Sequence, residues 1–154
     1  MAIALTPFEA LCGFRPLNEI KQFLIDYPEF RNVVGHSVAH EFISNFEKDG
    51  KQSLKNLFSS LMKADDGVVK KELEALITRI SNLSTEKQTL IDHLIQRLNT
   101  QFPHDVGCFC VFVLNFLTLQ PGESIFLNAN LPHAYLSGGS SSSSSFFFSF
   151  KNRV

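Results

Sequence analysis

Residues 117–138 read LTLQPGESIFLNANLPHAYLSG, and the alternation of short apolar runs with turn residues in this stretch decides the β part of the fold. Leu117-Thr118-Leu119 closes an apolar run, and Gln120-Pro121-Gly122-Glu123 has the composition of a tight turn. Ser124-Ile125-Phe126-Leu127 then reads as a strand. Asn128-Ala129-Asn130-Leu131-Pro132 is a second turn, which leads into His133-Ala134-Tyr135-Leu136. Upstream, GCFCVFVLNF at 107–116 has the β-branched and aromatic character of a strand, so strand is expected from there to Leu119. Two or three strands at this spacing make an incomplete sheet that cannot bury both faces alone. At the other end of the chain, Ile3 and Leu5 precede Thr6-Pro7 and a Phe-rich turn ending at Gly13, which reads as an extended segment feeding a loop.

Between these flanks the period changes. Leu17, Ile20, Phe23, Leu24 and Tyr27 fall on one helical face behind Pro16, and Pro28 stops the run. Further stripes are Val38/Ala39/Phe42/Ile43/Phe46, Leu54/Leu57/Phe58/Leu61/Met62 and Val69/Leu73/Leu76/Ile77/Ile80. A fifth, Leu90/Ile91/Leu94/Ile95/Leu98, follows Thr85-Glu86-Lys87-Gln88, which has the form of a capping box. Each stripe gives a helix one apolar face, and the short polar connections favour a bundle of five helices.

Lys and Arg number 14 against 15 for Asp and Glu, with no basic stripe, so nothing points to nucleic acid or an anionic membrane as partner. The apolar run 106–119 is interrupted by Asn115 and Thr118 and falls short of the roughly 18 residues of a membrane helix. Met1–Leu11 lacks the cationic start of a signal peptide. The cysteines, Cys12, Cys108 and Cys110, are odd in number and sit among apolar residues, which argues against a disulfide framework and for a reducing, cytoplasmic setting. From 139 the chain becomes low-complexity, with serines at 140–145 followed by Phe146, Phe147, Phe148 and Phe150.

The stretch Leu117–Gly138 resembles the second cupin motif of type I phosphomannose isomerases, in which a Pro-Gly-Glu turn and a strand are followed by Pro-His-Ala-Tyr-Leu. Pro121-Gly122-Glu123 and Pro132-His133-Ala134-Tyr135-Leu136 supply those elements here. MAIALTPFEALCGFRP at 1–16 is similar to the segment that follows the family's Asn-His-Lys-Pro-Glu motif, and a helical insertion then divides the family's catalytic cupin. The resemblance implies an α+β fold. A leading strand and loop occupy 1–14, a helical insertion subdomain 15–100, partial cupin (jelly-roll) strands 101–138, and an aberrant Ser/Phe tail 139–154.

The same resemblance implies zinc-dependent interconversion of mannose 6-phosphate and fructose 6-phosphate, feeding GDP-mannose synthesis and protein glycosylation. The carbonyl shift between C1 and C2 passes through an enediol-like intermediate, and zinc stabilises its developing charge. Of the family's zinc ligands, a Gln and a His from Gln-x-His, a Glu and a later His, one has a counterpart here, His133. Tyr135 projects to the same face, and the resemblance implies that it lines the substrate pocket. The family's catalytic Arg, which follows a Glu-Cys-Met-Ala segment, has no counterpart. The chain is therefore expected to be an internal fragment, from a gene model that starts at an internal Met and reads through a splice site after Gly138. Weak or absent zinc binding and no turnover alone are expected of it. The rival reading is a non-catalytic helical fragment whose open strand edges bind a full-length isomerase or a second copy.

Without the resemblance, His133 is a structural or surface histidine and Tyr135 a half-buried strand residue. Cys108 and Cys110 share a strand face but read as buried small hydrophobes. His36 and His40 stand at metal-binding helical spacing without an HExxH context, so they, like His93 and His104, are placed on solvated surfaces or turns. Asn82-Leu83-Ser84 is a sequon read as incidental.

Overall fold

The apolar stripes at the middle of the chain form helices and its flanks form strands, in a computed structural model that describes residues 2–126 and 131–137. The chain divides into two units, residues 16–112 and a β unit built from residues 1–15 and 113–154. The Ser/Phe run at 139–154, and positions 127–130 of the second strand and turn, lie outside the described residues.

The helical unit contains α1 (Leu17–Asp26), α2 (Pro28–Val34), α3 (His36–Asn45), α4 (Gly50–Met62), α5 (Asp66–Ser81) and α6 (Leu90–Gln101). Ile20, Leu24, Phe42, Leu57, Leu61, Leu73, Leu76, Ile80 and Leu98, all from the expected stripes, are buried. Asp49 caps α4 by accepting from the Gln52 N–H, and Asp65 caps α5 by accepting from Gly67 and Val68.

Three local departures each have a physical cause. Pro28 ends α1 but also opens α2, a sixth helix, because a proline's missing N–H costs nothing in the first turn. Phe30, Val33 and Val34 bury that helix's inner face, and Gly35, at φ 93, turns the chain into α3. The capping box expected at Thr85 forms four residues later. Thr85–Lys87 is a 3₁₀ turn, while Thr89 Oγ1 accepts from Asp92 N–H and Asp92 Oδ2 accepts from Thr89 N–H. The strand expected from 107 is instead a buried 3₁₀ segment, Val106–Phe112. Asp105 starts it, its Oδ1 accepting from Gly107 N–H at 2.7 Å and its carbonyl from Cys108 N–H.

A polar network sits inside this unit. The Tyr27 hydroxyl donates to Asp92 Oδ1 at 2.9 Å, and buried Glu29 accepts two bonds from Arg79, at 2.8 and 2.9 Å. The Arg79 guanidinium also lies over the Tyr27 ring. Burial, reinforced by the Asp92 carboxylate, pushes the Tyr27 phenol up to about 12.

The β unit contains β1 (Ala2–Ile3), β2 (Phe8–Phe14), β3 (Leu114–Leu119), β4 (Ser124–Ile125) and β5 (His133–Ser137). β1 pairs antiparallel with β4, and β2 is the centre of an antiparallel sheet in the order β3-β2-β5. The segment expected to be a loop before Gly13 is therefore the central strand. Its sequence lacks alternation because successive residues Ala10, Leu11 and Cys12 are all buried. β2 and β3 are hydrogen-bonded neighbours in the sheet although 16–112 separates them in the chain, so the helical unit is an insertion between two paired strands. Arg15 N–H donates to Val113 O at 2.8 Å and closes the two ends of that insertion together.

Candidate functional site

β5 carries both residues marked out by sequence. Successive strand residues alternate faces, so His133 and Tyr135 share one, with ring centroids 5.8 Å apart, while Ala134 and Leu136 are buried on the other. Cross-strand register sets their neighbours: Cys12 stands beside His133 and Ala10 beside Tyr135, with Leu117 opposite Ala10 on β3. Phe8 packs its ring 5.1 Å from that of Tyr135, and Ala4, Phe8, Ala10, Leu119 and Tyr135 form one apolar cluster.

The orientation of the imidazole follows from one bond. His133 Nδ1 lies 2.9 Å from the Leu131 carbonyl oxygen, which can only accept, so Nδ1 carries the proton. Neutral His133 then presents Nε2 as a lone pair, the form that binds a metal ion. Further along the sheet, Ser137 Oγ donates to Glu9 Oε2 at 2.7 Å.

His133 offers one nitrogen donor. Among the described residues no group of three or more His, Cys, Asp and Glu side chains converges as a metal site. A zinc ion held by about three or four N, O or S ligands does not fit this set.

The remaining sequence candidates lie elsewhere. Cys108 and Cys110 do not share a strand face but lie on the buried 3₁₀ segment. Burial pushes the Cys108 thiol up to about 12 and Cys110 higher, which keeps both unreactive. Cys12, also buried, is shifted upward for the same reason. His36, His40 and His93 are exposed on helices, and exposed His104 lies 3.3 Å from Glu74. Asn82 caps the C-terminus of α5 at the surface.

Sequence reading passed over two residues of the other two strands in this sheet. They are Gly13, in a left-handed conformation at φ 68, and Asn115, whose side-chain amide donates to the Phe14 and Gly13 carbonyls at 3.0 and 3.4 Å. An Asn inside an apolar strand was the available signal, since a half-buried amide needs partners.

Residues 33–114 match the family model for the phosphomannose isomerase type I helical insertion domain. A mannose-6-phosphate isomerase of Homo sapiens is 45% identical to this chain over 144 residues, covering 90% of this chain and 34% of the relative. That of Bos taurus is 44% identical with the same coverage. The chain thus spans about a third of the length of the curated relatives it matches. It is also similar to the crystal structure of mannose 6-phosphate isomerase from Salmonella typhimurium bound to its substrate fructose 6-phosphate and zinc. There the TM-score is 0.68 at 30% identity, covering 90% of this chain and 32% of that one. The apo form from the same organism gives 0.68 at 30% identity, covering 90% and 33%.

Proposed function

This chain belongs to the type I phosphomannose isomerases, and on that premise we propose that it supplies one metal ligand and part of the substrate pocket of a mannose-6-phosphate isomerase. In this reading His133 is the ligand, through Nε2, and Tyr135 is a pocket wall. The strands around them are part of a cupin whose remaining ligands and catalytic Arg come from outside the described residues. The activity is interconversion of mannose 6-phosphate and fructose 6-phosphate, in the cytoplasm, upstream of GDP-mannose formation. We assign 1–14 and the strands after 112 to that catalytic cupin and the helices between them to the insertion. The chain alone holds zinc weakly and does not turn over.

The observation that carries this reading is the His133–Leu131 bond, which leaves Nε2 available on the face shared with Tyr135. The test compares zinc content and isomerase activity of the purified chain with a version extended by the flanking segments of a relative. The extended protein is expected to hold stoichiometric zinc and turn over, and His133→Ala in it to lose both. Zinc binding and turnover by the unextended chain would overturn this account of the ligand set.

A non-catalytic role has one observation in its favour. Among the described residues β3 and β5 each have one open edge, and exposed Phe126 follows β4. Such edges pair with further strands, from a second copy or a full-length isomerase. Light scattering at increasing concentration tests this, and a monomer throughout argues against self-pairing.

A further inference from the structure

We propose that Asn115 is a positioning residue for His133, acting through a β-bulge in the strand between them. Leu11 pairs with Phe116 and Phe14 with Leu114, so Cys12 and Gly13 together stand opposite Asn115 alone. An extra residue on one strand bends it and re-aims the side chains nearby. On the other side of β2 the same two residues meet the turn that delivers the histidine. Cys12 pairs with His133, and Gly13 N–H donates to Pro132 O at 3.0 Å.

Asn115 fixes the bulge from the β3 side. Its amide donates to Phe14 O at 3.0 Å and Gly13 O at 3.4 Å, and because both partners are carbonyls it is the NH₂ group that faces them. Gly13, at φ 68 and without a Cβ, has the widest conformational freedom of any residue in β2. One peptide group on each side removes that freedom: its carbonyl is held by Asn115, and its N–H holds Pro132. The Pro132–His133 link is thereby placed so that Nδ1 reaches Leu131 O and Nε2 faces away. Asn115 is assigned as neither ligand nor pocket wall. Its effect reaches the imidazole through the backbone of 13, 132 and 133.

This inference deepens the assignment of His133 as a ligand and rests on it, so the test reads the two separately. The full chain, labelled with ¹⁵N-histidine, is examined by long-range ¹⁵N–¹H correlation at pH 8, where the His133 tautomer is read directly, and the version extended by a relative's flanking segments is titrated with zinc chloride. The unsubstituted chain is expected to show the Nδ1–H tautomer. Asn115→Leu and Asn115→Asp are expected to move His133 toward a tautomer mixture and to need about tenfold more zinc chloride for the same His133 shift. Ser137→Ala removes a bond elsewhere in the same sheet, so it is expected to lower thermal stability and leave the tautomer unchanged.

If the Asn115 variants lose stability yet keep the tautomer and the zinc midpoint, Asn115 only holds the sheet together and the proposal is wrong. If His133 in the unsubstituted extended protein ignores zinc while the variants still alter its tautomer, the ligand assignment fails and the relay stands. Should Asn115→Leu not fold, Gly13→Ala perturbs the same bulge from β2, where φ 68 strains any side chain. An unchanged tautomer in both Gly13→Ala and Asn115→Asp overturns the proposal.

Discussion

Replacing Phe112 with Ala is expected to be the most damaging single truncation in the helical unit. The ring is fully buried at the end of the 3₁₀ segment. It stacks on Phe30 of α2 at 4.8 Å and meets Tyr27 at 4.7 Å, Phe23 of α1 at 5.3 Å and Phe109 at 6.3 Å. Burying a phenylalanine and then deleting it costs about 3–5 kcal/mol, with the higher figures where the surroundings cannot collapse. Collapse is hindered here because the neighbouring rings come from separate elements, each anchored by its own helix or turn. Lost ring pairing adds about 0.5–1.5 kcal/mol per favourable pair. We therefore expect about 4 kcal/mol, which for a domain of this size is a fall in Tm of roughly 16 °C or more. Thermal and urea unfolding followed by far-UV circular dichroism reads it, with Phe126→Ala as control. Phe126 is 73% exposed, so its truncation is expected within about 0.5 kcal/mol of the starting protein. A loss below about 1 kcal/mol at Phe112, close to the control, would refute the packing described for the segment.

Asp92→Ala removes the capping box and leaves the Tyr27 hydroxyl without its acceptor, so urea unfolding is expected to show a loss of about 2–4 kcal/mol, against about 1 for Tyr27→Phe. Arg79→Ala strands the buried Glu29 carboxylate and is expected to cost about 3 kcal/mol, at the low end for a buried pair because Arg79 is itself 40% exposed. Arg79→Lys should recover only part of this, since an ammonium cannot make both bonds in one plane. Raising pH should destabilise the fold through the buried phenol and thiols. Tyr27 and Cys108 are protonated in the folded state up to about 12, so their contribution is intact below their ordinary values near 10 and 9 and is lost as pH climbs from there toward 12. A double Cys108→Ala, Cys110→Ala variant should lose less stability between pH 9 and 10 than its parent, and an equal loss would remove the thiols from the explanation.

The helical stripes were legible because each runs long enough to establish its period. α2 was not, since Pro28–Val34 is seven residues and its proline reads equally well as a stop and as a start. Thr85 and Thr89 both begin a box-like pattern, and local sequence does not rank them. Part of what favours Thr89 is that Asp92 also accepts from Tyr27, 65 residues away. Residues 107–112 carry no period because every side chain is buried, so the apolar composition fits a strand or a buried turn. Asp105, just upstream, is the residue that selects the turn.

The candidate site divides in the same way. His133 and Tyr135 could be placed on one face from their spacing alone, because alternation in a strand is a local property. What aims His133 is not local. Leu131 is close in sequence, but Gly13 and Asn115 come from two other strands, and their bonds are to backbone carbonyls and amides that any residue offers. A motif can therefore name the group that would bind the metal while saying nothing of the register that orients it. Substitutions within 131–137 test the chemistry of that group, whereas substitutions at 13 and 115 test its direction. If the second class alters the imidazole tautomer as strongly as changes beside the histidine, register determines the ligand as much as the motif does.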